Sequence, residues 1–98
     1  MSRLLVVEDE MNIQKLIKDI VKIAGYECET ANDGEEGLFK ILNEQYDLVL
    51  MDIMMPNMDG FEIMEKISQM DIPVIFVTAT NNIENIVKGF SLRHKRLY

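Results

Sequence analysis

Three acidic positions raise the first chemical question. Leu48-Val49-Leu50-Met51 is a continuous apolar run that ends in Asp52, and Leu4-Leu5-Val6-Val7 is another that ends in Glu8-Asp9-Glu10. A third run, Val74-Ile75-Phe76-Val77, ends in the hydroxyl of Thr78. Burying an ionised carboxylate without a partner is costly. Asp52 therefore either meets water where its run ends or faces something cationic. Carboxylates gathered at several such ends repel one another, and a hard divalent cation such as Mg²⁺ relieves that repulsion by taking carboxylate, carbonyl and water oxygens. A hydroxyl beside them can hydrogen-bond a phosphoryl group. The bland alternative is that Glu8, Asp9 and Glu10 only favour the start of a following helix.

The elements that would position these groups are legible as period. Apolar runs of four residues bounded by polar or turn residues read as buried strands. Ile13, Leu16, Ile17, Ile20, Val21 and Ala24 recur at helical spacing, with Gly25 placed for a left-handed cap. Glu27–Ala31 alternates weakly and suits an edge strand, and Asn32-Asp33-Gly34 reads as a turn. Leu38, Ile41 and Leu42 mark a second helix that ends near 43–45. Phe61, Met64, Ile67 and Met70 mark a third, Pro73 opens the strand Val74–Val77, and Asn82 caps a fourth helix carrying Ile83, Ile86, Val87 and Phe90. Strands that alternate with helices predict an α/β fold, a doubly wound parallel sheet covered on both faces. In such sheets the functional groups gather at the carboxyl ends of the strands, where Glu8, Asp9, Asp52 and Thr78 all fall.

Bulk properties narrow the class. With 98 residues and 48% apolar content, the chain makes one domain with a real core. A net charge of -7 argues against direct nucleic-acid binding, which needs basic stripes. The one cysteine, Cys28, forms no internal disulfide, which fits a reducing compartment. The acidic start MSRLLVVEDE is no signal peptide, and no apolar run reaches membrane-spanning length, so a cytoplasmic domain without membrane contact is expected.

The chain resembles the receiver domains of two-component response regulators. The motifs that carry the resemblance are LLVVEDE, DLVLMDIMMPNMDGFE and IPVIFVTAT, and it covers residues 1 to about 92. The resemblance implies a flavodoxin-like sheet of order 2-1-3-4. It implies that Asp52 is the phosphoacceptor, taking a phosphoryl group from a sensor histidine kinase, and that the domain is a signalling module rather than an enzyme. It further implies that Asp9 and Asp52 bind Mg²⁺ (with Mn²⁺ as a substitute) together with the backbone carbonyl of Met54, while Glu8 assists through water. Thr78 and the amide of Ala79 would contact the phosphoryl oxygens, and Pro56 and Gly60 would shape the loop between.

The family pattern breaks after the fourth strand–helix unit. A fifth strand, its lysine and a fifth helix are expected there, yet residues 93–98 read RHKRLY, an atypical basic tail in an acidic chain. Neither Lys88 nor Lys95 stands at the family's lysine position. A one-base shift in a back-translation of the tail gives Gly-Thr-Lys-Asp-Tyr, close to the missing segment. An incomplete domain, 1–92, predicts impaired phosphorylation. It also predicts a homo-oligomer formed through the uncovered fourth strand or by exchange of elements, with apolar surface at Ile13, Leu16 or Ile17 exposed. The competing reading is a non-catalytic interaction module that keeps the receiver fold. A haloacid-dehalogenase phosphatase wants a second Asp where Met54 stands, and a flavodoxin wants a hydroxyl- and glycine-rich loop where Glu8-Asp9-Glu10 stands.

Overall fold

The apolar runs become neighbouring strands because each is apolar on both faces and must be covered on both. The computed structural model describes residues 2–52, 65, 66, 68, 70 and 72–77. Its elements run β1 (Arg3–Val7), α1 (Met11–Ile23), β2 (Glu27–Ala31), α2 (Gly34–Asn43), β3 (Leu48–Asp52) and β4 (Val74–Val77). The strands form one sheet in the order β2-β1-β3-β4, parallel throughout, as the sequence predicts. Of the helix read over Phe61–Met70 only residues 65, 66, 68 and 70 are described, and the helix read over Asn82–Phe90 lies outside the described residues, as do Met54, Pro56, Gly60, Thr78, Ala79 and the tail 93–98. Among the described residues no helix is long and apolar enough to cross a membrane.

Side-chain alternation along the strands divides the core into two layers. Leu5, Val7, Val49 and Met51 point to one face, where Ala31, Ile41 and Tyr46 join them. Leu4, Val6, Leu48 and Leu50 point to the other, against Ile17 and Val21 of α1. Each of these strand residues is essentially fully buried, and full burial of one such side chain contributes about 1.5–3 kcal/mol.

Helix α1 turns to the sheet the face its apolar pattern implies, but a narrower part of it: Ile17 and Val21 are buried and Ile13 and Ile20 pack half-buried beside them. Its buried positions are Gln14, Ile17 and Val21, spaced i, i+3, i+7. Ile17, expected among the exposed apolar residues, is fully buried, whereas Leu16 and Ile23 are 57% and 86% exposed. The stripe is wider than the strip of sheet beneath it, so its flank stays uncovered. The helix closes as expected at Gly25, whose φ of 94° is left-handed. The Gly25 N–H donates to Lys22 O at 3.0 Å and the Tyr26 N–H to Val21 O at 3.3 Å, the paired bonds of a Schellman end.

Asn32-Asp33-Gly34 proves to be a helix start rather than a separate turn. Asp33 caps α2 by accepting the Glu36 N–H at 2.8 Å, and Glu36 in return accepts the Asn32 N–H at 2.9 Å. The first bond satisfies a donor that a helix start leaves orphaned, and the second ties down the residue before the cap. Gly34 is the first residue of α2, inside the helix rather than in a loop before it.

Candidate functional site

Strand register brings the acids together. Val7 of β1 pairs with Met51 of β3, so the next residues, Glu8 and Asp52, meet at the carboxyl edge of two adjacent strands. The carboxylate oxygens of Glu8, Asp9 and Asp52 offer one ligand atom each, all within 4.8 Å of one another. Glu8 is buried, Asp52 half-buried and Asp9 exposed, so the cluster grades from the sheet outwards to solvent. Asp52 also pairs with Val77 of β4, the residue immediately before Thr78 in the chain. Thr78, Ala79 and Met54 themselves lie outside the described residues.

Glu8 carries the electrostatic signature of the site. Its carboxyl is pushed up to about 7, first by burial and then by the neighbouring Asp52 and Asp9 carboxylates. The Glu10 N–H, which donates to Glu8 Oε1 at 3.1 Å, works in the opposite direction. The backbone of Glu8 is held at both groups. Its N–H donates to Ala31 O at 3.1 Å, and its carbonyl accepts from Gln14 Nε2 at 3.0 Å. The helix-capping alternative holds in part, since Glu8 accepts the N–H of Glu10 at the start of α1. Glu10 is the N-cap of α1 but makes no side-chain cap bond, and the first turn of α1 holds no acidic residue.

Three carboxylates with no thiol or imidazole among them form a hard, oxygen-only donor set. That set fits Mg²⁺, Mn²⁺ or Ca²⁺ better than zinc or copper. Gln14 is the residue sequence reasoning missed. Its signal was positional: it shares the i, i+3, i+7 phase of Ile17 and Val21, where a polar side chain must find buried partners.

The opposite, amino end of the sheet carries a separate polar group. Arg3 reaches Glu29 and lies 2.7 Å from Glu44, with its guanidinium 4.9 Å from the centre of the Tyr46 ring. The Tyr46 hydroxyl lies 3.1 Å from Glu29 Oε2 and 3.2 Å from Glu44 Oε2. Arg3, Glu44 and Tyr46 border a cavity of about 520 Å³ that also touches Met70 and Ile72. This cavity lies away from the carboxylate cluster and includes none of its residues.

The family model described as "Response regulator receiver domain" matches residues 4–96. The chain belongs to this family. Among curated proteins, this receiver is 40% identical over 93 residues to the transcriptional regulatory protein CpxR homolog of Haemophilus influenzae, across 94% of this chain and 40% of that protein. It is 37% identical over 92 residues to RprY of Bacteroides fragilis, across 92% of this chain and 39% of that protein. The receiver thus spans about 40% of the length of the curated relatives it matches. Among solved structures it superposes on the response regulator TrrA of Thermotoga maritima, in complex with Mg²⁺–BeF, with a TM-score of 0.77. That match is 38% identical and covers 93% of this chain and 81% of the other. The chemotaxis response regulator CheY4 of Vibrio cholerae gives a TM-score of 0.75 at 29% identity, covering 93% of this chain and 80% of the other.

Proposed function

We propose that this receiver domain takes a phosphoryl group on Asp52 from the phosphohistidine of a sensor histidine kinase, in a cytoplasmic two-component pathway. The observation that carries the reading is the meeting of Glu8, Asp9 and Asp52 within 4.8 Å at the carboxyl ends of β1 and β3, in a chain of this family. Asp9 and Asp52 would hold a divalent cation with the backbone carbonyl of Met54, and Glu8 would assist through water. Bound there, Mg²⁺ supplies positive charge that offsets the carboxylates and the incoming phosphoryl oxygens. The Mg²⁺–BeF complex of TrrA supports this assignment of the metal.

The residues of the chain do the rest. An Asp52 carboxylate oxygen attacks phosphorus, the new O–P bond forms as the P–N bond breaks, and the electron pair returns to the imidazole nitrogen of the donor. The Thr78 hydroxyl and the Ala79 amide would hydrogen-bond the transferred oxygens. Such transfer depends mainly on positioning and charge stabilisation.

Acetyl phosphate with Mg²⁺ tests the reading. Intact-mass spectrometry should show one added phosphoryl group on the wild type, lost in Asp52→Asn and abolished by a chelator. A wild type that binds Mn²⁺ yet never gains the phosphoryl group would favour the non-catalytic interaction module.

The same reading includes self-association. Among the described residues β4 is an edge of the sheet, and an edge strand offers backbone donors and acceptors to a second copy. Sedimentation equilibrium should show a concentration-dependent dimer or larger assembly; a monomer at every concentration would remove this part of the reading.

A further inference from the structure

Gln14 is 6% exposed, on the inward face of α1. A buried primary amide costs stability unless its polar atoms are paired. Its Nε2 lies 3.0 Å from the carbonyl of Glu8, 3.0 Å from Asn32 Oδ1 and 3.3 Å from the carbonyl of Ala31. Two of these partners are backbone carbonyls, which can only accept, so the NH₂ end of the amide must be the end that faces them. Two hydrogens serve three acceptors, and the Ala31 carbonyl, the longest contact, already accepts the Glu8 N–H.

One side chain therefore joins two loops at the carboxyl edge of the sheet. The first carries Glu8 and Asp9. The second runs from Ala31 through Asn32 into the capped start of α2. We propose that Gln14 is a positioning residue for the carboxylate cluster: its amide fixes the Glu8–Asp9 loop against the Asn32 loop and thereby sets how tightly the cluster holds a divalent cation. The proposal rests on the reading of the cluster as a cation site. Outer-shell partners that orient metal ligands typically control affinity by about 10–100-fold. A glutamine that only filled space and satisfied carbonyls would change stability and leave the affinity of the folded protein untouched.

The test is Mn²⁺ titration of the full chain, followed by the electron paramagnetic resonance of the free ion. It is run at a temperature where circular dichroism shows each variant folded. Gln14→Met keeps the shape and removes the donors, and should weaken Mn²⁺ binding by about 10-fold. Asn32→Ala, which removes one of three acceptors, should weaken it less. Wild-type binding with unchanged affinity in Gln14→Met overturns the role of Gln14 alone. Absence of binding by the wild type, or equal binding by Asp52→Asn, overturns the cation site and this proposal with it. Should Gln14→Met not fold, the ¹⁵N-labelled wild type decides. The Gln14 side-chain NH₂ resonances should move on Mg²⁺ addition with the same midpoint as the Asp9 backbone amide. Gln14 resonances that stay still while Asp9 moves overturn the proposal.

Discussion

Val7 leaves no room for a side chain at Gly37: a β-carbon there would stand 2.8 Å from one Val7 methyl and 3.0 Å from the other. Val7 is fully buried and pairs with Ala31 on one side and Met51 on the other, so it cannot retreat. Replacing a mid-helix glycine by alanine gains up to about 1 kcal/mol of helix propensity. Overpacking costs about 1–3 kcal/mol and is expected to win here. Gly37→Ala should lose about 1 kcal/mol net in urea unfolding. Adding Val7→Ala should cost less than the two single losses combined, since it removes the clash. A Gly37→Ala protein more stable than wild type would mean that α2 can lift from β1.

Cys28 should be a slow thiol. It is half-buried against the layer of Leu4, Val6 and Ile17. Burial pushes its thiol up to about 11, only partly offset by Lys18 and Lys22. Because the thiolate is the reactive form, alkylation by iodoacetamide near pH 8 should be on the order of 100-fold slower in the native protein than in urea. Equal rates in the two conditions would show Cys28 open to reagent.

At the amino end of the sheet, Arg3 links carboxylates from β2 and from the segment after α2. Its hydrogen bond holds the Glu44 carboxyl below the usual range. A depressed carboxylate contributes stability above its unfolded value and loses it as pH falls through the folded one. Arg3→Met should therefore lower the melting temperature at neutral pH and low salt, with the difference from wild type shrinking in acid. A difference that does not change with pH would assign the role of Arg3 to packing on the Tyr46 ring. Burial, followed by the Glu29 and Glu44 carboxylates, raises the Tyr46 phenol well above the usual range. Tyr46 should accordingly stay protonated at about pH 11 until the protein unfolds.

The parts of the fold set by local pattern were legible. The runs Leu4–Val7 and Leu48–Met51 are apolar at every position because both faces of the sheet are covered, and their ends locate Glu8, Asp9 and Asp52. Gly25 announced a left-handed cap for a backbone reason that needs no tertiary contact. What the letters did not reveal depends on contacts between distant segments. Six apolar residues on α1 do not say which of them the sheet covers, so Ile17 and Leu16 could not be told apart. Gln14 is buried only because Ala31 and Asn32, far along the chain, bring acceptors to it. Asp33-Gly34 suits either a turn or a cap, and the bonds with Glu36 decide for the cap. Thr78 was marked by its place at the end of the run Val74–Val77, whereas Met54 and Ala79 entered through the family resemblance, because a backbone carbonyl and an amide have no periodic signal of their own.

The buried carboxyl of Glu8 makes the metal-free domain sensitive to pH in an unusual direction. Its folded value of about 7 stands above the ordinary glutamate value of 4.5, so between these values the folded protein holds a proton that the unfolded chain has released. Stability must then fall as pH rises through that window and level off beyond it. The size is on the order of 1–3 kcal/mol, since each unit is worth about 1.36 kcal/mol and the loop can relax. Urea unfolding in EDTA should give a lower midpoint at about pH 8 than at about pH 5, and Glu8→Gln should flatten the difference. Mg²⁺ should act oppositely. Cation binding requires ionised carboxylates, so added Mg²⁺ should stabilise more at the higher pH and partly erase the slope. Carboxylates stabilised by partners change stability only below about pH 5, and leave it flat over this range. A midpoint in EDTA that does not fall from pH 5 to 8 would therefore show that favourable partners, rather than burial beside Asp52 and Asp9, govern Glu8.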